Sequence, residues 1–342
     1  MAFILIPYIS VLISCYNYEK YILRCLESCK RQAFKDFNVI IVDDASTDDS
    51  KDIINCFIND NPDLDVTFAR MSENSGPGAA KGKALSFATG EYVIFVDCDD
   101  WMDDNCLSVL AKRAELTRAD KIRAQARVKD EETGKVTRER VISKNPSTWC
   151  EGMMYATLIK RSVITDNNIR FHKSRSVSDD LYFIACVNSC VSSTEYVRET
   201  VYNISYKRDS DSGLARFDYE KKIKYAFETN KAVKGIYDKL DEKNKTLCEY
   251  LFAKQYYFLL LQYVRAVGFS EISNYHKGLR KTIDPFFPKF YNNKSIRLFQ
   301  SGDPFFFQSV VWICSLAEKL RFMTLMLKIY WLVSRKIKFI TR

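Results

Sequence analysis

YVIFVDCDDW, residues Tyr92–Trp101, joins two kinds of sequence without a linker. Tyr92 to Val96 is an unbroken run of β-branched and aromatic side chains, the pattern of a strand buried on both faces. It stops on Asp97, Asp99 and Asp100. The same design recurs toward the N-terminus. Ile9 to Ser14 is a short apolar run, followed by Ile22, Cys25, Leu26 and Cys29 at helical spacing. Asn38 to Val42 closes on Asp43 and Asp44, after which Thr47 and Asp48 are expected to open a helix through Ile53 and Ile54. Val66 to Met71 reads as a further strand, and a Gly-rich turn precedes a helix from Ala79. Alternating buried strands and helices predict an α/β fold: a Rossmann-like, mostly parallel central sheet flanked by helices. Such sheets bind ligands at the carboxyl ends of their strands. Three strands end there in polar residues: Tyr16 and Asn17, then Asp43 and Asp44, then Asp97, Asp99 and Asp100.

Beyond Trp101 the pattern changes. Lys121 to Ser143 is strongly charged around a Thr133-Gly134 turn and predicts a polar hairpin or loop, and a mixed segment follows to Tyr206. From Asp218 onward the spacing is helical and aromatic-rich. A boundary near Gly213 divides the chain into 1–213, the α/β part, and 214–342, a helical, basic C-terminal region.

With 47% hydrophobic and 28% charged residues in a chain of 342, a packed core is expected rather than disorder. The net charge of +9 fits three partners: nucleic acid, an anionic membrane, or phosphorylated substrates. Acids along the ligand edge of the sheet oppose nucleic acid, whose phosphates require a basic groove. Eleven cysteines are scattered without a Cys-x-x-Cys pair, and the only histidines are His172 and His276. That ligand count favours reduced core thiols over zinc sites, and a cytosolic compartment. Met1 to Pro7 carries no basic leader region. No charge-free apolar window reaches the length of a spanning helix.

Four constellations carry chemistry. Asp97, Asp99 and Asp100 offer hard oxygen donors of the kind that hold Mg²⁺ or Mn²⁺ while leaving positions for phosphate oxygens; the plain alternative is a solvated acidic turn. VDDASTD, Val42–Asp48, places two acids at a second strand end, where a carboxylate can accept from a base or a ribose hydroxyl or simply cap a helix. NSGPGAAK, Asn74–Lys81, provides glycines for a tight turn, a helix N-terminus and the positive charge of Lys81 for phosphate. Ser178-Asp179-Asp180-Leu181 provides an acid suited to taking an acceptor proton, or an N-terminal helix cap.

Taken together, these stretches resemble the family 2 glycosyltransferases, which have the GT-A fold. The family's Tyr-Asn after the first strand is matched by Tyr16 and Asn17, its VDDxSTD by Val42–Asp48, and its Asn-x-Gly loop by Asn74–Lys81. Its DxDD plus aromatic is matched by Asp97–Trp101, and its Glu-Asp-Leu by Asp179, Asp180 and Leu181. The resemblance implies transfer of a hexose from a UDP-sugar with inversion, helped by Mn²⁺ or Mg²⁺. It implies that Asp44 contacts uracil with Asp43 in support, that Asp97 contacts ribose, that Asp99 ligates the metal, and that Asp100 binds the sugar or orients the loop. Asp180 would be the base, with Asp179 beside it, and Lys81 would hold the diphosphate, joined by Arg208. Lys81 stands where the family usually has Arg, and Asp179 where it has Glu. Many bacterial relatives with this motif build O-antigen or capsule repeats on undecaprenyl diphosphate, so a lipid-linked or oligosaccharide acceptor is expected. UDP-galactose or UDP-glucose is the first donor to consider, N-acetylated hexoses the next. A haloacid dehalogenase-type phosphatase also uses DxD after an apolar strand, but it wants Thr or Val where Trp101 stands. A non-catalytic subunit of a polysaccharide assembly complex would keep Asp44 and Asp97 and need no base.

From Phe305 to Arg342 the only acid is Glu318, among many Lys, Arg and large aromatics. Arg321, Lys328 and Arg335 recur every seven residues, with Leu316, Leu320, Met323 and Leu327 expected on another face. A basic amphipathic helix of this kind fits peripheral attachment to an anionic membrane, here the inner face of the cell membrane, or packing against the rest of the chain.

Overall fold

The computed structural model describes residues 7–142, 154–173, 178–206, 219–296 and 305–336. The chain divides into two compact units. The first comprises Met1–Ile142, Met153–Arg175 and Cys190–Tyr206; the second comprises Ser143–Gly152, Ser176–Ser189 and Lys207–Arg342. Gly213 and Arg208 lie outside the described residues.

The first unit is a nine-stranded sheet with helices against it. Its opening half is β1 (Ile9–Cys15), α1 (Ile22–Lys30), β2 (Phe37–Asp43), α2 (Ser50–Asp60), β3 (Val66–Arg70), α3 (Pro77–Phe87) and β4 (Tyr92–Asp97). The strands run parallel in the order β3-β2-β1-β4. β2 is buried along its whole length and β1 along all but Ser14, as their apolar runs require. Then come β5 (Trp101–Met102), α4 (Cys106–Thr117), β6 (Lys121–Asp130), β7 (Val136–Arg140), β8 (Thr157–Lys160), α5 (Arg161–Asp166) and, after an excursion into the second unit, β9 (Thr194–Tyr206). These extend the sheet as β4-β8-β6-β9-β5, with β7 paired to β6. Here β8 is antiparallel to β4 and β6, while β9 is parallel to β6 and antiparallel to β5.

Three local expectations change. The helix expected from Thr47 begins at Ser50, because the Asp48 carboxylate is occupied with the Ser50 and Glu19 N–H groups ahead of the first turn. The charged stretch after Lys121 is a hairpin, as expected, but its first arm is a central strand. The charges of β6 concealed this: Arg123 is buried because its guanidinium donates to Tyr155 O (3.3 Å) and Thr157 Oγ1 (2.9 Å) and lies over the Tyr155 ring. Finally, the C-terminal segment is two helices, not one.

The second unit is helical among its described residues. It holds α6 (Asp179–Cys190, all but its last residue), α7 (Tyr219–Tyr237), α8 (Glu242–Tyr263), α9 (Ile272–Ile283), α10 (Phe305–Lys319) and α11 (Met323–Lys336). Aromatic rings fill its core. Phe252 stacks on Phe287 (5.4 Å between centroids), and Tyr256 meets Phe290 edge-on (5.0 Å). Asp241 caps α8 by accepting from Asn244 N. Arg321 adopts a left-handed conformation (φ 59°) that ends α10 and starts α11. The break splits the expected apolar stripe: Met323 and Leu327 are buried, while Leu316 and Leu320 face outward.

Candidate active site

Three parallel strands bring the polar residues to one edge of the first unit. Cys15 is level with Asp43 of β2, and Ser14 is level with Asp97 of β4. The chain therefore leaves the sheet side by side through Tyr16–Asn17, Asp44–Thr47 and Cys98–Asp100. The first two loops are tied together. Asp44 N donates to Cys15 O (2.8 Å), Asn17 N to Ser46 Oγ (2.9 Å), and Thr47 N to Asn17 Oδ1 (2.8 Å). Asn17 (φ 57°) and Ala45 (φ 63°) both take the left-handed conformation, which Asn tolerates and Ala does not favour. Tyr16 stays exposed beside them.

The two acids of β2 act on different turns. Asp43 is wholly buried, accepts from the Ser46 amide and hydroxyl, and pairs with Arg70 Nε at 3.3 Å. Arg70 Nη2 also donates to Ser46 O. Asp44 accepts from Ser75 N (2.8 Å) and Gly76 N (2.7 Å), one oxygen for each, so it clamps the Gly-rich turn to the sheet. Gly76 sits at φ 94°, ψ 162°, a region that essentially only glycine occupies, and Pro77 opens α3. Asn74 is half-buried in the same turn. One turn into α3, the buried Lys81 brings Nζ to 3.4 Å from Asp97 Oδ1; the Asp97 side chain is 47% exposed.

Asp97, Asp99 and Asp100 are not equivalent. Asp97 and Asp99 are half-buried and Asp100 is enclosed. Asp100 Oδ1 accepts from Ser205 N (2.8 Å), and the Tyr202 hydroxyl also meets its carboxylate. Burial, followed by the charges of Asp99 and Asp97, pushes the Asp100 carboxyl well above its ordinary value, against these hydrogen bonds. Tyr202 is pushed up too, by burial and then by Asp100 and Asp97. The short β5 fixes this arrangement by pairing Trp101 with Asn203 and Met102 with Tyr202 on β9.

Four of these supporting residues were missed in the sequence. Arg24, on α1, donates from Nη2 to Asp99 O (2.8 Å), pairs with Glu131 (2.6 Å) and lies 3.8 Å over the Trp101 ring. Glu131 in turn accepts from the Ser205 hydroxyl. Tyr202 and Ser205 belong to β9, which lies in the stretch of mixed sequence ending at Tyr206. The alternation of Tyr202, Ile204 and Tyr206 was the available signal for it.

The expected site residues Tyr16, Asn17, Asp43, Asp44, Asn74, Lys81, Asp97, Asp99 and Asp100 therefore share one edge of the first unit. Asp179 and Asp180 belong to the second unit, both half-buried in the first turn of α6, where the helix dipole favours carboxylates. Among the described residues, no three His, Cys, Asp or Glu side chains gather into a metal-ligand group. Asp97 and Asp99 nevertheless fit a hard divalent cation of the Mg²⁺ or Mn²⁺ kind. Such ions are bound through one or two carboxylates and complete their shell with water and substrate phosphate oxygens.

Residues 10–181 match glycosyl transferase family 2. The chain belongs to that family. The sequence is 29% identical over 261 residues to the putative glycosyltransferase EpsH of Bacillus subtilis, covering 70% of this chain and 73% of EpsH. It is 40% identical over 101 residues to the poly(ribitol-phosphate) beta-N-acetylglucosaminyltransferase TarS of Staphylococcus aureus; that match covers 29% of this chain and only 17% of TarS. Among solved structures, residues 1–349 of S. aureus TarS in complex with UDP-GlcNAc superpose with a TM-score of 0.60, at 20% identity, covering 92% of each chain. The mannosyltransferase PcManGT from Pyrobaculum calidifontis, in complex with GDP-Man and Mn²⁺, superposes with a TM-score of 0.58 at 15% identity, covering 96% of this chain and 86% of that one. The α/β fold expected from the strand pattern is the GT-A fold of these neighbours.

Proposed function

We propose that this family 2 chain transfers a hexose from a UDP-sugar to a hydroxyl of an acceptor glycan, with inversion to a β-linkage and with help from Mn²⁺ or Mg²⁺. The observation that carries this reading is the edge formed by β1, β2 and β4. It holds a clamped Gly-rich turn, the buried Lys81 and the half-exposed Asp97 and Asp99 on adjacent strands and loops.

In this reading Asp44 and Asp43 serve the uracil side. Both Asp44 oxygens already accept backbone hydrogen bonds, so it works partly by shaping the turn. Asp97 serves the ribose and Asp99 the metal. The bound cation would offset the charge that develops on the leaving diphosphate. Lys81 has its charge set against Asp97 and would turn to the diphosphate on donor binding. Arg208 is assigned a phosphate contact by resemblance alone. Asp180 would take the acceptor proton as the oxygen attacks the anomeric carbon, with Asp179 beside it on α6.

For the acceptor, the first reading is a lipid diphosphate-linked sugar of O-antigen or capsule assembly, which places the chain peripherally on the inner face of the cell membrane. A second reading rests on TarS and its relatives, whose names specify poly(ribitol phosphate): the acceptor would then be a hydroxyl of an anionic polyol-phosphate polymer. A non-catalytic role in an assembly complex would need no base.

A panel of UDP-sugars offered with a synthetic lipid diphosphate acceptor and with poly(ribitol phosphate), with products read by mass spectrometry and NMR, tests donor, acceptor and anomeric outcome together. Turnover should vanish with chelator and in Asp99→Ala. Undiminished transfer with chelator removes the metal from the reaction, and undiminished transfer in Asp99→Ala removes Asp99 as its ligand.

A further inference from the structure

The helices α10 and α11 each carry two apolar stripes. On α10, Val311, Cys314 and Ala317 turn into the aromatic core of the second unit. Trp312, Ile313 and Leu316, with Leu320 just past the helix end, turn outward and are 39–61% exposed. On α11, Met323 and Leu327 face inward, while Leu325, Ile329, Leu332 and Val333 are 47–59% exposed. Spacings of three and four residues make each outward set a continuous stripe. A helix that is apolar on both sides needs an apolar partner on both, and scattered single exposures do not account for two aligned stripes.

The charges on these helices identify the partner. Glu318, the only acid from Phe305 to Arg342, is drawn inward and its side chain is 6% exposed. It accepts from Tyr256 OH (2.9 Å) and Arg280 Nη1 (3.1 Å) and meets His276 Nε2 at 2.9 Å. Lys319 and Arg321, at the break between the helices, remain exposed, and the sequence beyond adds Lys328, Arg335, Lys336, Lys338 and Arg342. The outward charge of the described part of this segment is therefore purely positive. A second copy of the chain, docked symmetrically, would set these cations near their own equivalents. Anionic headgroups over an apolar interior match both features at once.

We propose that the outward face of α10 and α11 is a docking surface for an anionic lipid bilayer, with Leu316, Leu320, Leu325 and Ile329 entering the interface and Lys319 and Arg321 meeting phosphates. The proposal rests on the peripheral membrane location given above and names the surface responsible for it.

The test is sedimentation of the full chain with vesicles of phosphatidylcholine alone or with a third phosphatidylserine. Wild type should bind the anionic vesicles at least tenfold more strongly than the neutral ones, and salt should weaken this binding. The double variant Leu320→Asn/Ile329→Asn should lose at least tenfold on anionic vesicles, with an unchanged melting temperature and unchanged transfer to a soluble acceptor. Lys319→Gln/Arg321→Gln should lose several-fold on anionic vesicles and nothing on neutral ones. If wild type binds neither vesicle, both this surface and the membrane location fall. If wild type binds and the double variants bind equally well, the location stands and the surface is wrong. A concentration-dependent dimer abolished by the Asn variant, without vesicle binding, assigns the face to a second copy and overturns the proposal.

Discussion

Buried acids do different work in the two units. In the first, Asp43, Asp44 and Asp100 each take hydrogen bonds from the backbone of a neighbouring loop or strand: Ser46, Ser75 with Gly76, and Ser205. They fix where the chain goes after a strand ends. In the second, Glu318 takes its bonds from side chains on other helices: Tyr256 of α8, and His276 and Arg280 of α9. It fixes how helices pack. Each of these acids sits at or just after the end of a buried strand, and that position marks it in sequence even though the partners of Asp44 and Asp100 lie 31, 32 and 105 residues away. Glu318 lies inside a helix with no such marker, and its partners lie 38 to 62 residues away.

Asp180 is the residue that would break this division most sharply, since the proposed reading gives an acid of the second unit a chemical role, where Glu318 serves packing. Asp180→Asn should lower turnover by about 10²–10⁴-fold, the usual worth of a general base, while UDP-sugar affinity stays within a factor of a few. Initial-rate kinetics together with titration calorimetry separate the two effects. Retained turnover would place the base elsewhere.

The packing role of Glu318 is tested by Glu318→Gln. Removing one partner of a buried, hydrogen-bonded charge cluster costs about 3–5 kcal/mol, so the variant should melt well below wild type. The pH dependence has a definite sign. Burial alone would raise the Glu318 carboxyl, but the His276 hydrogen bond and the His276 and Arg280 charges bring it below its ordinary value of 4.5. A carboxyl lowered in the folded state contributes fully above the unfolded value, and that contribution is lost as pH falls through the folded one. Wild-type melting should therefore drop on acidification below about 4.5, and the drop should be shallower in Glu318→Gln.

Legibility followed the same division. The apolar runs of β1, β2 and β4 and the polar residues after them could be read because buried parallel strands are written continuously and their ends are marked. β6 could not, since Lys121, Arg123 and Asp130 look like surface residues until their partners across the sheet are known. Arg24 was invisible as a site residue for a related reason: on α1 it reads as one more surface charge, and only the tertiary approach of Asp99, Glu131 and Trp101 gives it a function. The C-terminal apolar period continues in sequence through Arg321, where the backbone turns, so the sequence shows one helix where the structure has two.

Two substitutions of opposite sign probe the loop-ordering acids. Gly76→Ala places a side chain where the backbone holds φ 94° and ψ 162°; it should cost about 1–3 kcal/mol and disturb the turn that Asp44 clamps, raising KM for the UDP-sugar. Ala45→Gly does the reverse in the loop between Asp44 and Ser46. Ala45 sits at φ 63°, where a Cβ crowds the following carbonyl at a cost of roughly 1–2 kcal/mol. Glycine removes that strain but adds freedom to the unfolded chain, so the net gain should be smaller, about 1 kcal/mol or less. Denaturant melts of the two variants measure both. Should Ala45→Gly destabilise instead, unfolded-chain entropy outweighs the strain, and the left-handed residue beside Asp44 is held in place at little cost by the hydrogen bonds that Asp43 and Asn17 make to Ser46 and Thr47.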